Sequence, residues 1–359
     1  MDFGLSEEQE MLQETVRGFV ENECPPTKLR EIFDGGSGFE PGIWKDLVEM
    51  GIGGLVVPEE HGGAEMEVLD LALVAEVLGQ GAVPGPFLGH SLACLALIEG
   101  GSEEQKREWL PKLASGELVG SVALGEQADC WEPAQWTCSV KDGALHGVKR
   151  YAPVADLADL TLVGCAGGDL AIVERAAAGV TLESMDGVDR TRPIFELRLD
   201  GAPCELLEEG KAAAGRVRDA GRILLAADSF GAGQKLVQLC ADYSKEREQF
   251  GMVIAQFQAV KHQIARLATD LEPTRALFWY AAYTYDHIPE EAERSAAIAK
   301  AHICDRTLLA AREAVELHGG IGFTWECDVQ MWFKRAMFNR AFLGTPEALR
   351  ERCAALGAW

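Results

Sequence analysis

Apolar residues recur at helical spacing in the first third of the chain. Ser6, with Gln9 three residues behind it, has the pattern of a helix N-cap. The apolar run from Val68 to Leu78 is long enough for a buried helix, and residues 101–117 read as a cap followed by an amphipathic turn. One helix face near the start is formed by Leu5, Met11, Leu12, Val16, Phe19 and Val20. Residues 1–118 are therefore predicted to form an α-helical domain.

The pattern changes near residue 119. Short β-prone runs separated by Gly, Asp and Pro follow one another, namely VGSVAL, WTCSV, LTLVGC, LAIVE and IFELRLD. Asp142-Gly143 predicts a hairpin turn among them. Residues 119–212 are predicted to form a small β domain.

Long amphipathic runs with few prolines return from about residue 215, and Gly319-Gly320 is predicted to end one of these helices. Residues 213–359 are predicted to form a C-terminal helical bundle. The order helical, β, helical is an α+β fold.

Charge narrows the classes of partner. The 359 residues include 57 acidic and 33 basic side chains, and the pI is near 4.7. Nucleic acid and anionic membranes are therefore poor partners. The ten cysteines include no C-x-x-C pair, so no metal site or redox motif is predicted. The start lacks the regions of a signal peptide, and no apolar run reaches the roughly 18 residues of a membrane span, so a cytoplasmic location is expected.

Several stretches, in this order, resemble landmarks of the acyl-CoA dehydrogenase family: LSEEQEML at 5–12, VPEEHGG at 57–63, GSEEQKREWLPKLASGE at 101–117, REQFG at 247–251 and LHGGIGFTWE at 317–326. The resemblance covers essentially the whole chain and implies an acyl-CoA dehydrogenase-like fold. It implies an FAD enzyme that desaturates an acyl-CoA thioester, with the α-proton taken by a carboxylate and the β-hydride by N5 of FAD. It also implies a separate electron-transfer acceptor protein.

The resemblance assigns one set of residues to FAD. Arg247 matches an arginine that reaches the FAD of a neighbouring subunit, where a guanidinium suits the pyrophosphate. Its alternative role is an ion pair with Glu246 or Glu248. Gly319 and Gly320 match a turn that approaches the diphosphate, where a Cβ would interfere. The other positions matched to the cofactor site are Phe250 and Gln258 on the adenosine half, Glu316, where relatives often have glutamine, and Thr345.

The catalytic base departs from the family pattern. Relatives often carry a glutamate in a Tyr-Glu-Gly-Thr segment, but here Leu343 stands at that position. A second family location precedes an arginine on an earlier helix, where this chain has Gly221 before Arg222. The resemblance assigns Arg222 and Leu343 to substrate binding. The backbone N–H of Leu343 is the expected donor to the thioester oxyanion.

Asp228 follows on the same predicted helix face as Gly221, within an apolar stretch. Desolvation is expected to raise its pKa toward that of a general base, and the heteromeric branch of the family that acts on steroid side chains places its base on this helix. Asp228 is therefore the candidate base. The alternative is a structural carboxylate that is hydrogen-bonded or paired with a cation.

The flavin pocket also departs from the family. Gly125 stands where relatives have threonine, no Gly-Ser-Asp follows, Tyr151 replaces a ring-stacking tryptophan, and Pro153 replaces a second threonine. The residues that would bind the flavin of a neighbouring subunit are therefore present, whereas several residues that would bind the chain's own flavin are missing. The leading hypothesis is a subunit of a heterotetramer with a homologous partner, and by analogy with the heteromeric branch its acyl group is expected to be a steroid side chain. The alternatives are a homotetramer that uses Asp228 on a short or branched acyl-CoA, and a non-catalytic subunit that completes its partner's FAD site.

Overall fold

The structure is a computed structural model that describes residues 4–357. It confirms the predicted order of a helical domain, a β domain and a helical domain. The predicted cap at Ser6 is also confirmed: its side chain accepts a hydrogen bond from the backbone N–H of Gln9, and the Gln9 side chain bonds back to Ser6. Ser102 caps a later helix in the same way, through Gln105.

The N-terminal helices enclose a core of leucine, valine and alanine side chains. Helices α4 and α5 are apolar on nearly all faces, which is typical of helices covered on every side. The six helices are α1 (Glu7–Glu23), α2 (Pro26–Gly35), α3 (Pro41–Glu49), α4 (Val68–Gln80), α5 (Phe87–Gly100) and α6 (Glu103–Ala114).

Two four-stranded sheets form the middle domain and share one core, to which Ala123, Val163, Leu145 and Leu197 contribute. The first sheet has the order β1 (Gly120–Ala123), β4 (Leu160–Cys165), β5 (Asp169–Glu174) and β8 (Glu205–Leu206). The second has the order β2 (Ser139–Lys141), β3 (Ala144–Pro153), β7 (Ile194–Pro203) and β6 (Val180–Met185). The predicted turn joins β2 to β3, and Asp142 and Gly143 have the positive φ angles of 51° and 75° that this turn requires.

The C-terminal domain is built around α7 (Gly210–Glu246), which contacts α4, α5 and the later helices. It begins at Gly210, slightly before the predicted boundary at 213. The short strands β9 (Glu248–Gln249) and β10 (Met252–Val253) follow it. The remaining helices are α8 (Gln258–Leu271), α9 (Arg275–His287), α10 (Pro289–Leu317), α11 (Val329–Ala341) and α12 (Pro346–Leu356).

Helices α4 and α7 cross at two glycines. A Cβ on Gly231 of α7 would lie 1.9 Å from the Glu76 carbonyl oxygen, and a Cβ on Gly79 of α4 would lie 2.1 Å from the Asp228 carbonyl oxygen. Backbone therefore packs directly on backbone, and the middle of α7 is buried. Gly221 and Arg247 lie roughly 40 Å apart along this helix at 1.5 Å per residue, so α7 holds the two sets of candidate residues far from each other.

Within residues 4–357, each helix is either too short or too polar to span a lipid bilayer.

Candidate functional site

The C-terminal end of α7 forms a surface cleft of about 480 Å³. Arg247, Gly319 and Gly320, which the resemblance assigns to FAD, line it together. Arg247 is exposed, and within residues 4–357 its guanidinium forms no salt bridge, so the alternative pairing with Glu246 or Glu248 is not formed. The cleft therefore presents a guanidinium that is free to bind an anion.

The glycines leave the opposite wall of this cleft open. Gly319 has a φ of +65°, which favours glycine, and apart from the adjoining residues of the chain no described atom lies within 4 Å of a Cβ built on Gly319 or Gly320. The other predicted contacts lie on the surrounding surface rather than in the lining: Phe250 is 90% exposed, and Gln258 and Glu316 are exposed.

Among the lining residues that the sequence analysis did not predict are two aromatic side chains, Tyr243 and His318. Tyr243 stacks on His318 with ring centroids 4.3 Å apart, and its hydroxyl donates to the His318 carbonyl at 3.2 Å. Tyr243 precedes Arg247 by one helical turn and His318 precedes Gly319 directly, so the sequence held a positional signal for both. Their stacking fixes the end of α7 against the end of α10.

The two family positions for the base lie in contact with each other. A Cβ on Gly221 would be 2.3 Å from Cδ1 of Leu343, so the leucine side chain covers the glycine. Leu343 is fully buried and has a φ of +58°, a conformation that costs a non-glycine residue roughly 1–2 kcal/mol. Neither position offers a carboxylate.

Asp228 lies in a buried cluster of hydrogen-bond donors. Its carboxylate accepts from Nη2 of Arg192 at 2.5 Å, from Nε and Nη2 of Arg335 at 2.9 and 2.6 Å, and from Nδ2 of Asn339 at 2.6 Å. All four side chains are buried. Arg335 also donates to the carbonyl of Val83, so the cluster connects all three domains.

The prediction that burial raises the pKa of Asp228 is wrong. Burial acts in that direction, but Arg192, Arg335 and the donated hydrogen bonds outweigh it and hold the pKa below its ordinary value. Both oxygens are occupied by cationic or amide donors. The geometry favours the structural alternative for this carboxylate rather than the role of general base.

Arg222 and Thr345 are also engaged within the chain. Arg222 donates from Nε to the Leu343 carbonyl at 3.2 Å, from Nη1 to Asp219 at 3.2 Å, and from Nη2 to Glu132 at 2.7 Å. It is 1% exposed. The Thr345 hydroxyl caps α12 by accepting from the Ala348 N–H at 3.4 Å. These contacts do not support the predicted roles of Arg222 in substrate binding and Thr345 in cofactor binding.

Gly125 and Tyr151, two of the positions at which the flavin pocket was expected to be thinned, lie against Trp131. A Cβ on Gly125 would lie 2.7 Å from Cζ3 of the indole. The indole centroid is 5.7 Å from that of Tyr151 and 4.9 Å from that of Phe342. Pro153 lies on β3, and its carbonyl accepts from the Ser121 hydroxyl at 2.6 Å. Trp131 was not singled out from the sequence, where a tryptophan in a loop carries no signal of its own.

A helical domain, a β domain and a long helix with an arginine–glycine cleft at one end define an oxidoreductase of the acyl-CoA dehydrogenase type. Residues 6–117 match the acyl-CoA dehydrogenase N-terminal domain, and residues 208–356 match the acyl-CoA dehydrogenase C-terminal domain. The chain belongs to the acyl-CoA dehydrogenase family, whose members are generally flavin-dependent.

Individual relatives extend over the whole chain. It is 33% identical to acyl-CoA dehydrogenase IpdE2 of Mycolicibacterium smegmatis, over 97% of this chain and 98% of the relative. Among solved structures, it is similar to the Tcur3481-Tcur3483 steroid ACAD G363A variant, with 29% identity, a TM-score of 0.90, and coverage of 98% of this chain and 97% of that one. The ChsE4-ChsE5 complex from Mycobacterium tuberculosis has 26% identity and a TM-score of 0.89, with 99% of each chain covered.

Proposed function

We propose that this chain is one subunit of a heteromeric, FAD-dependent acyl-CoA dehydrogenase, in which it completes the flavin site of a homologous sister subunit and the sister supplies the catalytic base. One observation carries the proposal. The cleft at one end of α7 is open and has a free guanidinium, whereas the family positions for the base at the other end are apolar and closed.

The donated half-site fits a pyrophosphate. Arg247 offers a planar fork of donors that pairs with two phosphate oxygens. Gly319 and Gly320 let a phosphate approach the backbone without meeting a Cβ. Because the chain carries a net charge of −24, an anion binds only where such local donors outweigh the surrounding field. Arg247, Gly319 and Gly320 would hold the FAD pyrophosphate, and the bound cofactor would supply the acceptor for the hydride that leaves the β carbon of the thioester.

Proton removal from the α carbon is assigned to the sister subunit. Leu343 and Gly221 have no ionisable side chain, and Asp228 is held ionised by two arginines that occupy its oxygens. A general base needs a free oxygen within hydrogen-bond reach of the proton it takes. The same contacts weigh against a homotetramer in which Asp228 is the base.

The acyl group is proposed to be steroid-derived, on the similarity to the steroid ACAD structure. The ChsE4-ChsE5 complex supports a heteromeric assembly, because it pairs two chains of different names. An electron-transfer acceptor protein is proposed to reoxidise the flavin, as the family membership implies.

The test is flavin retention in the complex with the sister subunit. Arg247→Ala is expected to weaken FAD binding by roughly 10- to 150-fold, because a charge-assisted hydrogen bond contributes about 1.5–3 kcal/mol. The FAD affinity of Arg247→Lys is expected to lie between those of the wild type and Arg247→Ala, because lysine keeps the positive charge but lacks the planar pair of donors. Arg107→Ala, which removes an exposed arginine on α6, serves as the matched control.

FAD per complex is measured from the absorbance ratio after gel filtration. Full retention by the Arg247→Ala complex contradicts the donated half-site. A purified chain that carries one FAD per subunit and dehydrogenates acyl-CoA alone contradicts the heteromeric assignment.

A further inference from the structure

The loop after β1 places one aromatic side chain inside the pocket that would hold this chain's own flavin. Trp131 is 5% exposed and packs against Gly125, Tyr151 and Phe342. By resemblance, Gly125 and Tyr151 match positions that contact the isoalloxazine ring, and Phe342 belongs to the segment that carries the base in relatives. The indole, a flat, fused ring system, therefore packs among residues that the resemblance matches to the site of a larger flat, fused ring system.

Position 125 has no room for a side chain beside Trp131. A Cβ at position 125 would meet two indole carbons at 2.7 and 2.8 Å, closer than van der Waals contact allows. The Arg150 carbonyl oxygen of β3 lies 2.8 Å from the same Cβ, so the glycine at the family's threonine position is required by both the indole and the strand backbone. The indole N–H has no hydrogen-bond partner among the described residues, so packing and the neighbouring residue hold the ring in place.

The neighbouring residue is Glu132, which ties the loop to α7. Its carboxylate accepts from Nη2 of Arg222 at 2.7 Å and forms a second ion pair with Nη1 of Arg218. Both arginines are buried, and Arg222 also donates to the Leu343 carbonyl. Burial raises the pKa of Glu132, but these two arginines outweigh it and hold the pKa below its ordinary value. The carboxylate is therefore ionised at neutral pH.

We propose that Trp131 and Glu132 form a plug that closes this chain's own flavin-ring pocket: the indole occupies the ring position, and the Glu132–Arg218–Arg222 contacts latch the loop over it. The plug rests on the proposed function, because it explains why this chain would contribute residues to its partner's flavin site and bind no flavin of its own. The pocket beneath the plug takes a planar fused heteroaromatic ring.

The probe for the plug is riboflavin, which has the isoalloxazine ring but no pyrophosphate. Trp131→Gly in the full chain is expected to bind riboflavin at least about tenfold more tightly than the wild type, a readily measured difference in Kd. Binding is followed by quenching of riboflavin fluorescence. Trp109→Gly is the matched control, because it removes a buried tryptophan of α6 and leaves a cavity of similar size elsewhere.

Equal binding of riboflavin by Trp131→Gly and Trp109→Gly overturns the plug, because any indole-sized cavity would then suffice. Tight binding by the wild type also overturns it. If Trp131→Gly does not fold, Glu132→Gln tests the latch: it is expected to increase riboflavin binding and proteolytic cleavage within residues 127–135, and no change in either measurement contradicts the proposal.

These outcomes are separate from those of the Arg247 experiment. Riboflavin has no pyrophosphate for Arg247 to bind, and the probe is applied to this chain rather than to the sister's site. A complex that loses FAD on Arg247→Ala, with no riboflavin binding by Trp131→Gly, keeps the proposed function and rejects the plug. The converse result keeps an occluded pocket and rejects the donated half-site.

Discussion

Asp228→Asn distinguishes a structural carboxylate from a catalytic one. The substitution keeps the shape of the side chain and removes one negative charge from a cluster that contains the buried guanidinium groups of Arg192 and Arg335. It also places an amide NH₂ where a carboxylate oxygen now accepts, so that one donor faces another. We expect the fold to lose stability because two positive charges remain buried with no counter-charge on this side chain.

The size of the effect follows from the contacts. A pair of opposite charges at about 4 Å is worth roughly 4 kcal/mol at an effective dielectric constant of about 20. Asp228 loses this attraction to both arginines, while relaxation and entry of water recover part of it. Removing one partner from a buried ion pair costs about 3–5 kcal/mol, which we adopt as the expected loss.

The assay is urea denaturation of the full chain, with Asp242→Asn as the control. Asp242 lies on the same helix but is exposed, where it bonds Gln238 and Lys245, so the same substitution is expected to cost less than about 1 kcal/mol. Because Arg192 and Arg335 hold the pKa of Asp228 below its ordinary value despite burial, its contribution is fully present above the unfolded pKa. The difference between wild type and variant should therefore stay constant near neutral pH and shrink as the pH falls from the unfolded pKa to the lowered folded pKa.

The opposite pattern would refute this reasoning. In the complex with the sister subunit, unchanged stability combined with flavin reduction slowed by about 10²–10⁴-fold would make Asp228 the general base. Rapid mixing of the complex with acyl-CoA, followed by flavin bleaching, measures that rate.

Three further outcomes are expected. Gly231→Ala should destabilise the chain by more than about 2 kcal/mol, because its Cβ would meet the Glu76 carbonyl oxygen at 1.9 Å. The control, Gly215→Ala on the same helix, meets open space and should increase the free energy of unfolding by up to about 1 kcal/mol. Equal urea midpoints for the two variants would contradict the close crossing of α4 and α7. Burial lowers the pKa of Lys300 from 10.5 to about 8. Between these pH values the amine is protonated in the unfolded chain but not in the folded one, so the stability of the wild type relative to Lys300→Met should increase as the pH rises from 8 to 10.5. A stability difference that does not change with pH over this range would contradict the lowered pKa. The chain purified alone should carry far less than one FAD per subunit, and a full flavin-to-protein absorbance ratio would count against a divided site.

The sequence alone determined the elements and predicted the residues that line the cleft at the end of α7, because both depend on short-range pattern. Apolar spacing predicted the helical and β segments, and the caps and the Asp142-Gly143 turn are set by hydrogen bonds and dihedral preferences within a few residues. Arg247 and the Gly319-Gly320 turn were recognisable because each lies in a continuous motif at a helix end. A free guanidinium and an open glycine turn need no distant partner to show their chemistry.

Only the tertiary structure decided what the buried end of α7 does. An aspartate in an apolar helix has a pKa that burial raises and nearby cations lower, and the sequence does not show which effect is larger. The deciding partners, Arg192, Arg335 and Asn339, lie 36, 107 and 111 residues away. The same holds for Trp131, which fills its pocket by meeting Tyr151 of β3 and Phe342 of the turn after α11, segments far apart in sequence. The pKa of a buried group and the packing around a side chain depend on all the residues that the fold brings into contact, so they are determined only when the chain is folded.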